Sequence, residues 1–169
     1  MLSNIIIDPI HLYNQDRMSR PAIDTDFPLN IICFFPGAFT DLCNLGLTEF
    51  NLYLDELNPK ITKVTGITVD STFVLEKWKN DYKIDFDLLS DHELRLIEQF
   101  EVEFMGLGGV ENYRSANRAV FFTDYEGHVI FEWVGKHPGD APDYRSILFK
   151  AKDFESRYIN CLLYTSPSP

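Results

Sequence analysis

The sequence predicts an α/β protein built on a mixed sheet flanked by helices. Residues 29–35 (LNIICFF) and 63–69 (KVTGITV) are short apolar or β-branched runs, the pattern of strands buried on both faces. Each is followed by capping side chains and a stretch of helical apolar spacing, the alternation that builds parallel sheets. Further on, two extended segments meet at Asp124-Tyr125-Glu126-Gly127, a hairpin signal that adds antiparallel strands.

Taken in order, Ile5, Ile6 and Ile7 and then residues 10–13 suggest early extended segments, broken by Pro9. Residues 14–27 are polar and turn-rich. The strand over 29–35 stops at Pro36-Gly37, after which Thr40 and Asp41 offer side chains that can cap a helix. Leu42, Leu45, Phe50, Tyr53, Leu54 and Leu57 then fall at imperfect helical spacing, as far as Asn58-Pro59. After the strand over 63–69, Ser71 caps a helix that runs to about Tyr82. Residues 86–89 are a short strand, and Ser90-Asp91 opens a helix to about Phe100. Residues 106–109 (GLGG) read as a flexible loop. The hairpin strands cover 118–123 and 128–134, and a helix over 142–158 closes the chain. No repeat or interdomain linker interrupts this order, so residues 1–160 are expected to form one domain.

Composition narrows the function. Hydrophobic residues make up 45% and charged residues 24% of the 169 positions, the balance of a globular protein. The net charge of -11 comes without a basic stripe, which argues against nucleic acid as a partner. No apolar run reaches the roughly 20 residues needed to span a bilayer. The first residues lack the basic and apolar regions of a signal peptide. A cytoplasmic protein without a membrane partner is expected. The three cysteines contain no C-x-x-C pair, so neither a disulfide scaffold, a dithiol oxidoreductase nor a zinc knuckle is supported. His11, His92, His128 and His137 show no ligand spacing with acids or cysteines; neither metal nor cofactor is expected. Residues 161–169 (CLLYTSPSP) match one translated frame of a common sequencing-library adaptor. They are expected to be foreign, which keeps Cys161 out of the functional set.

The chemistry centres on Cys43. It follows a buried strand and falls in the first turn of the next helix. Free amides and the positive end of the helix dipole there favour the thiolate, the nucleophilic form. Residues 34–43 read FFPGAFTDLC. The pattern Pro36-x-x-x-Thr40-x-x-Cys43, with its P-G-A-F-T string, resembles the active-site signature of peroxiredoxins (the alkyl hydroperoxide reductase and thiol-specific antioxidant superfamily). The resemblance continues through ITVDSTFVLEKW (67–78), FDLLSD (86–91) and NRAVFFTDYEGHVIFEWV (117–134). It spans roughly residues 28–150 in the family's order.

That resemblance implies a thioredoxin-like fold and a hydroperoxide substrate. It implies Cys43 as the attacking thiolate, with Arg118, at the start of the hairpin, lying beside it. Pro36 would shield the sulfur. The Thr40 hydroxyl, able to accept and donate, would hold a peroxide oxygen. Gly37 and Phe39 are the candidate substrate-binding residues, Phe39 reading equally well as ordinary aromatic packing. Cys43 would become a sulfenic acid and be restored by an external thiol such as thioredoxin, glutaredoxin or a small thiol. The family also implies a homodimer or higher oligomer.

The departures concern recycling. The position five residues after Cys43, where some members carry a resolving cysteine, is Thr48, and no Val-Cys-Pro segment occurs. Gly46 stands where many members carry Glu, and Glu49 reads as a solvated helix residue. Cys33, inside the buried run, reads as a core residue. No resolving cysteine is identified, and a one-cysteine cycle is favoured. The hairpin and residues 133–144 resemble the bacterioferritin-comigratory and one-cysteine groups; PGAFT and GLGG also resemble the atypical type-5 group. Arg114 is either a second basic residue near the pocket or an exposed charge, the latter favoured. The alternatives in function are a redox sensor or a non-catalytic interaction module on a thioredoxin scaffold.

Overall fold

In the computed structural model, residues 6–8 and 10–165 are described; the expected break at Pro9 lies outside them. Strand β3 (Leu29–Phe34) is buried along its whole length. Its side chains alternate between two cores, Ile32 and Phe34 facing one and Ile31 and Cys33 the other, as the two-residue period of a strand requires. On one side β3 pairs in parallel with β4 (Thr62–Thr68), which pairs in parallel with β5 (Asp87–Ser90). On the other side β8 (Ala119–Thr123) runs antiparallel to β3, and β9 (Val129–Val134) completes the hairpin. With β1 (His11–Asn14) and β2 (Ser19–Pro21) the mixed sheet has seven strands, in the order β2-β1-β5-β4-β3-β8-β9.

Helices α1 (Asp41–Tyr53), α2 (Thr72–Tyr82) and α4 (Tyr144–Thr165) cover one face. Their Cys43, Leu47, Leu75, Trp78, Ile147 and Ala151 pack on Cys33, Leu88 and Val120. Opposite lies α3 (Arg95–Gln99) with the N-terminal segment. There Phe34, Phe100 and Phe121 form a ring cluster with centroids 4.6–5.9 Å apart. Both faces are therefore dry, which explains why the central strands read as continuous apolar runs.

Several local expectations are corrected. The polar stretch over 14–27 contains β2, because the Asn14 side chain accepts from the amides of Asp16 and Met18 and closes a tight turn. Thr40 is the N-cap of α1, but its side chain makes no capping bond. The helix expected to open at Asp91 begins only at Arg95: Leu94 is left-handed, and the Asp91 carboxylate caps from a distance, accepting from the amides of Arg95 and Ile97. The GLGG stretch is a hydrogen-bonded 3₁₀ turn over Leu107–Gly109 rather than an open loop. It lies between two strands the sequence did not announce, β6 (Glu103–Met105) and β7 (Arg114–Ala116). Asp143, not Pro142, delimits the last helix, accepting from Arg145, from the Ser146 amide and from its hydroxyl. That helix continues past Tyr158 to Thr165 with Cys161 exposed. The remainder of the expected foreign tail, residues 166–169, lies outside the described residues. Ser71 does cap α2, accepting from the Val74 amide at 3.3 Å. Gly127 turns the hairpin at a φ of 92°. Among the described residues no helix is long and apolar enough to cross a membrane.

Candidate active site

The loop from Phe35 to Thr40 leaves the carboxyl end of β3 and delivers Cys43 into the first turn of α1. The first intrahelical bond runs from the Asn44 amide to the Thr40 carbonyl at 2.8 Å. The amides of Asp41, Leu42 and Cys43 therefore precede the helix's own ladder. Cys43 is 0% exposed. Its sulfur receives a hydrogen bond from Arg118 Nη2 at 3.3 Å, across 75 positions of the chain.

Arg118 arrives from the short link between β7 and β8 and is 3% exposed. Its backbone is clamped on both sides: Asn117 Oδ1 accepts from the Arg118 amide, and the Gly135 amide donates to the Arg118 carbonyl. Asn117 also donates through Nδ2 to the Gly135 carbonyl at 2.6 Å. Beyond the sulfur, Nη2 donates to the Pro138 carbonyl at 3.2 Å. Nε and Nη1 are buried with no protein partner among the described residues.

The other expected residues share the loop. Pro36 and Gly37 are buried, while Phe39 and Thr40 are exposed. The Thr40 hydroxyl donates to the Gly37 carbonyl at 2.8 Å. That bond uses its proton, and the oxygen keeps lone pairs with which to accept from a substrate. Phe39 has a φ of 66°, a left-handed conformation that costs a bulky residue about 1–2 kcal/mol. Its ring lies 6.4 Å from that of Trp78.

Three supporting residues escaped sequence reasoning. Asp70 Oδ2 accepts from the Ala38 amide at 2.8 Å and pins the loop. Trp78, fully buried in α2, donates through Nε1 to Asn44 Oδ1 at 2.7 Å, next to Cys43. Asn117 braces Arg118. A signal for Asp70 was present: it follows the end of β4, parallel to β3, and sites in open α/β sheets gather at the carboxyl ends of such strands.

The remaining candidates resolve clearly. Cys33 is a core residue, and burial pushes its thiol up. Arg114 is exposed and paired with Glu98 and Glu103. Burial and then Glu49, on the same helix, push the Tyr53 hydroxyl up. The expectation that no histidine approaches acids needs correction at the hairpin tip, where ligand atoms of Asp124, Glu126 and His128 lie within 4.8 Å of one another. The tight turn makes that grouping, with Asp124 Oδ1 accepting from the amides of Glu126 and His128.

The sequence of residues 26–132 matches the AhpC/TSA family, more than half of the chain. The chain belongs to the AhpC/TSA family. This family member is 26% identical over 144 residues to alkyl hydroperoxide reductase C of Buchnera aphidicola subsp. Schizaphis graminum, a match covering 77% of this chain and 67% of that protein. It is 29% identical over 122 residues to peroxiredoxin Bcp of Escherichia coli K12, covering 70% and 76% of the two chains. Matches to two further Buchnera reductases span 66% and 51% of their lengths. Among solved structures, the Xanthomonas campestris bacterioferritin comigratory protein superposes with a TM-score of 0.75 at 20% identity, over 90% of this chain and 99% of that one. Enterococcus faecalis AhpC does so with 0.77 at 19% identity, over 99% of both. The expected thioredoxin-like fold is thus the fold of this AhpC/TSA peroxiredoxin.

Proposed function

We propose that this peroxiredoxin is a thiol-dependent peroxidase that reduces hydrogen peroxide and organic hydroperoxides at Cys43. The observation that carries the reading is the 3.3 Å contact from Arg118 Nη2 to Cys43 Sγ, between two buried side chains. The guanidinium brings a rigid, directed donor to the sulfur that would attack. The unpartnered Nε and Nη1 support the same reading. A buried polar group without a partner costs about 1–3 kcal/mol, so these donors suit oxygens brought by a substrate.

In this mechanism the Cys43 thiolate attacks the terminal peroxide oxygen. An S–O bond forms as the O–O bond breaks, and the departing alkoxide or hydroxide takes a proton from solvent. Arg118 and the free amides of the first turn of α1 stabilise charge on the departing oxygen. Thr40 accepts a hydrogen bond from the peroxide proton. Cys43 is left as sulfenic acid. A first external thiol condenses with it, releasing water and leaving a mixed disulfide; a second thiol releases the Cys43 thiolate and a disulfide. A one-cysteine cycle is supported by Cys33, which lies in the core with burial opposing its ionisation. Since Cys43 has no exposed surface, the groups packed over its sulfur shift when a substrate enters. The free thiols of Cys33 and Cys43 suit a reducing compartment such as the cytoplasm. The edge strand β9, with Ile130 and Val134 exposed, suits a homodimer.

Stopped-flow mixing with one equivalent of hydrogen peroxide, followed by mass spectrometry, tests the reading. Cys43 should gain one oxygen within the first turnover, and Cys43→Ser should consume no peroxide while keeping its fold. A reduced Cys43 after stoichiometric oxidant would instead indicate a non-catalytic interaction module.

A further inference from the structure

Gly46 follows Cys43 by three positions, so the two share a face of α1. A methyl group at Gly46 would stand 2.6 Å from the hydroxyl oxygen of Tyr144 and 3.1 Å from the Phe35 ring. Only a residue without a side chain lets that hydroxyl lie against the helix there. Tyr144 is the first residue of α4, and its ring meets Phe50 edge-on at 5.3 Å. The chain between β9 and α4 therefore touches the site twice, through the Pro138 carbonyl on Arg118 Nη2 and through Tyr144 over Gly46. Burial pushes the Tyr144 hydroxyl up to about 12, and Arg118, Cys33, Cys43 and Glu49 all act on it electrostatically. It stays neutral across the physiological range, so it neutralises none of the Arg118 charge.

We infer that Tyr144 is a positioning residue for the Cys43–Arg118 pair, its hydroxyl lodged in the space that Gly46 leaves open on the face of α1 that carries the sulfur. The hydroxyl is an uncharged dipole placed against the turn of α1 that carries Cys43, and α4 thereby reports its seating on the sheet to the reacting sulfur. The inference rests on the peroxidase reading of Cys43.

A double-mutant cycle tests it, because one substitution removes the hydroxyl and another displaces it. Tyr144→Phe deletes the oxygen alone. Gly46→Ala keeps the tyrosine but pushes its hydroxyl off α1. Each single variant is expected to slow the reaction of Cys43 with hydrogen peroxide about tenfold, a barrier change of about 1.4 kcal/mol. The double variant is expected to be no slower than Tyr144→Phe, since both changes act on one contact. Alkylation of Cys43 by iodoacetamide, read on its tryptic peptide, should move toward higher pH by the same amount in both singles. A purely structural role would lower the melting temperature and leave that profile in place. Wild-type rate and profile in Tyr144→Phe, or multiplying effects in the double variant, would overturn the inference. Full peroxide consumption by Cys43→Ser would remove the reading beneath it, whereas a reactive Cys43 with a silent Tyr144→Phe removes this inference alone.

Discussion

The guanidinium of Arg118 offers its Nη2 to both Cys43 Sγ and the Pro138 carbonyl and keeps two buried nitrogens open. Removing it by Arg118→Met takes away a preorganised donor and a fixed charge together. Losses of this kind slow catalysis about 10²–10³-fold, and stopped-flow peroxide kinetics should show that drop. Arg118→Lys retains a charge but not the planar fork, so it should recover only part of the rate. Thr40 permits a finer test. Thr40→Ser keeps the oxygen that accepts from the substrate, while Thr40→Val removes it at nearly constant shape. The valine variant should react about 10–100-fold more slowly than the serine variant, the range for a hydrogen bond to a group carrying developing charge. Equal rates for the two would show that the hydroxyl is a loop contact only. At this scale the sequence already pointed to Cys43, Thr40 and Arg118, through a local motif and a resemblance. It did not show that the Thr40 proton belongs to Gly37, because a hydroxyl's partner depends on how its loop is folded.

At the level of elements, the β3–α1 loop is held by groups that belong to other elements. Asp70, after β4, accepts from the Ala38 amide, and Trp78 of α2 donates to Asn44 of α1. Asp70→Ala should therefore slow peroxide reduction more than it destabilises the fold. Losing a hydrogen bond to a charged acceptor costs about 1.5–3 kcal/mol, a fall of several degrees in melting temperature measured by circular dichroism. An unchanged rate with a lowered melting temperature would make Asp70 structural alone. Strand positions and the α2 cap were legible because they depend on local periodicity and on one side chain bonding three residues ahead. The start of α3 was not. Its boundary follows from a left-handed Leu94 and a carboxylate that bonds four and six residues ahead, a geometry with no fixed sequence pattern. Strands β6 and β7, three residues each, are too short to show a period.

The whole molecule is a sheet between two cores, and the site sits on the core lined by α1, α2 and α4. Stability and activity can thus be separated by face. Phe121, fully buried against Phe34 and Phe100 on the opposite face, should cost about 3–5 kcal/mol as Phe121→Ala, a large part of a domain's total. A urea melt measures that loss. Acid stability has a separate lever. Burial raises the Asp24 carboxyl, but the Asp26 amide and Lys63, 3.1 Å away, outweigh it and hold the group below its usual value. A carboxyl lowered by folding contributes stability that is fully present above its unfolded value of about 3.9, and this is lost as pH falls through the lower folded value. Lys63→Met should weaken that acid limb by about 1 kcal/mol or less, seen as a flatter fall in melting temperature below about pH 4.

By itself the sequence determined the alternation of strands and helices and the placing of one cysteine at a helix start. Those features depend on neighbours a few positions apart, where periodicity and caps act. Tertiary structure alone decided which nitrogen of Arg118 meets that sulfur, that Asp70 holds its loop, and that the Tyr144 hydroxyl occupies the gap at Gly46. Such meetings join residues from distant strands and helices, and only the packing of those elements against the sheet sets where each side chain ends.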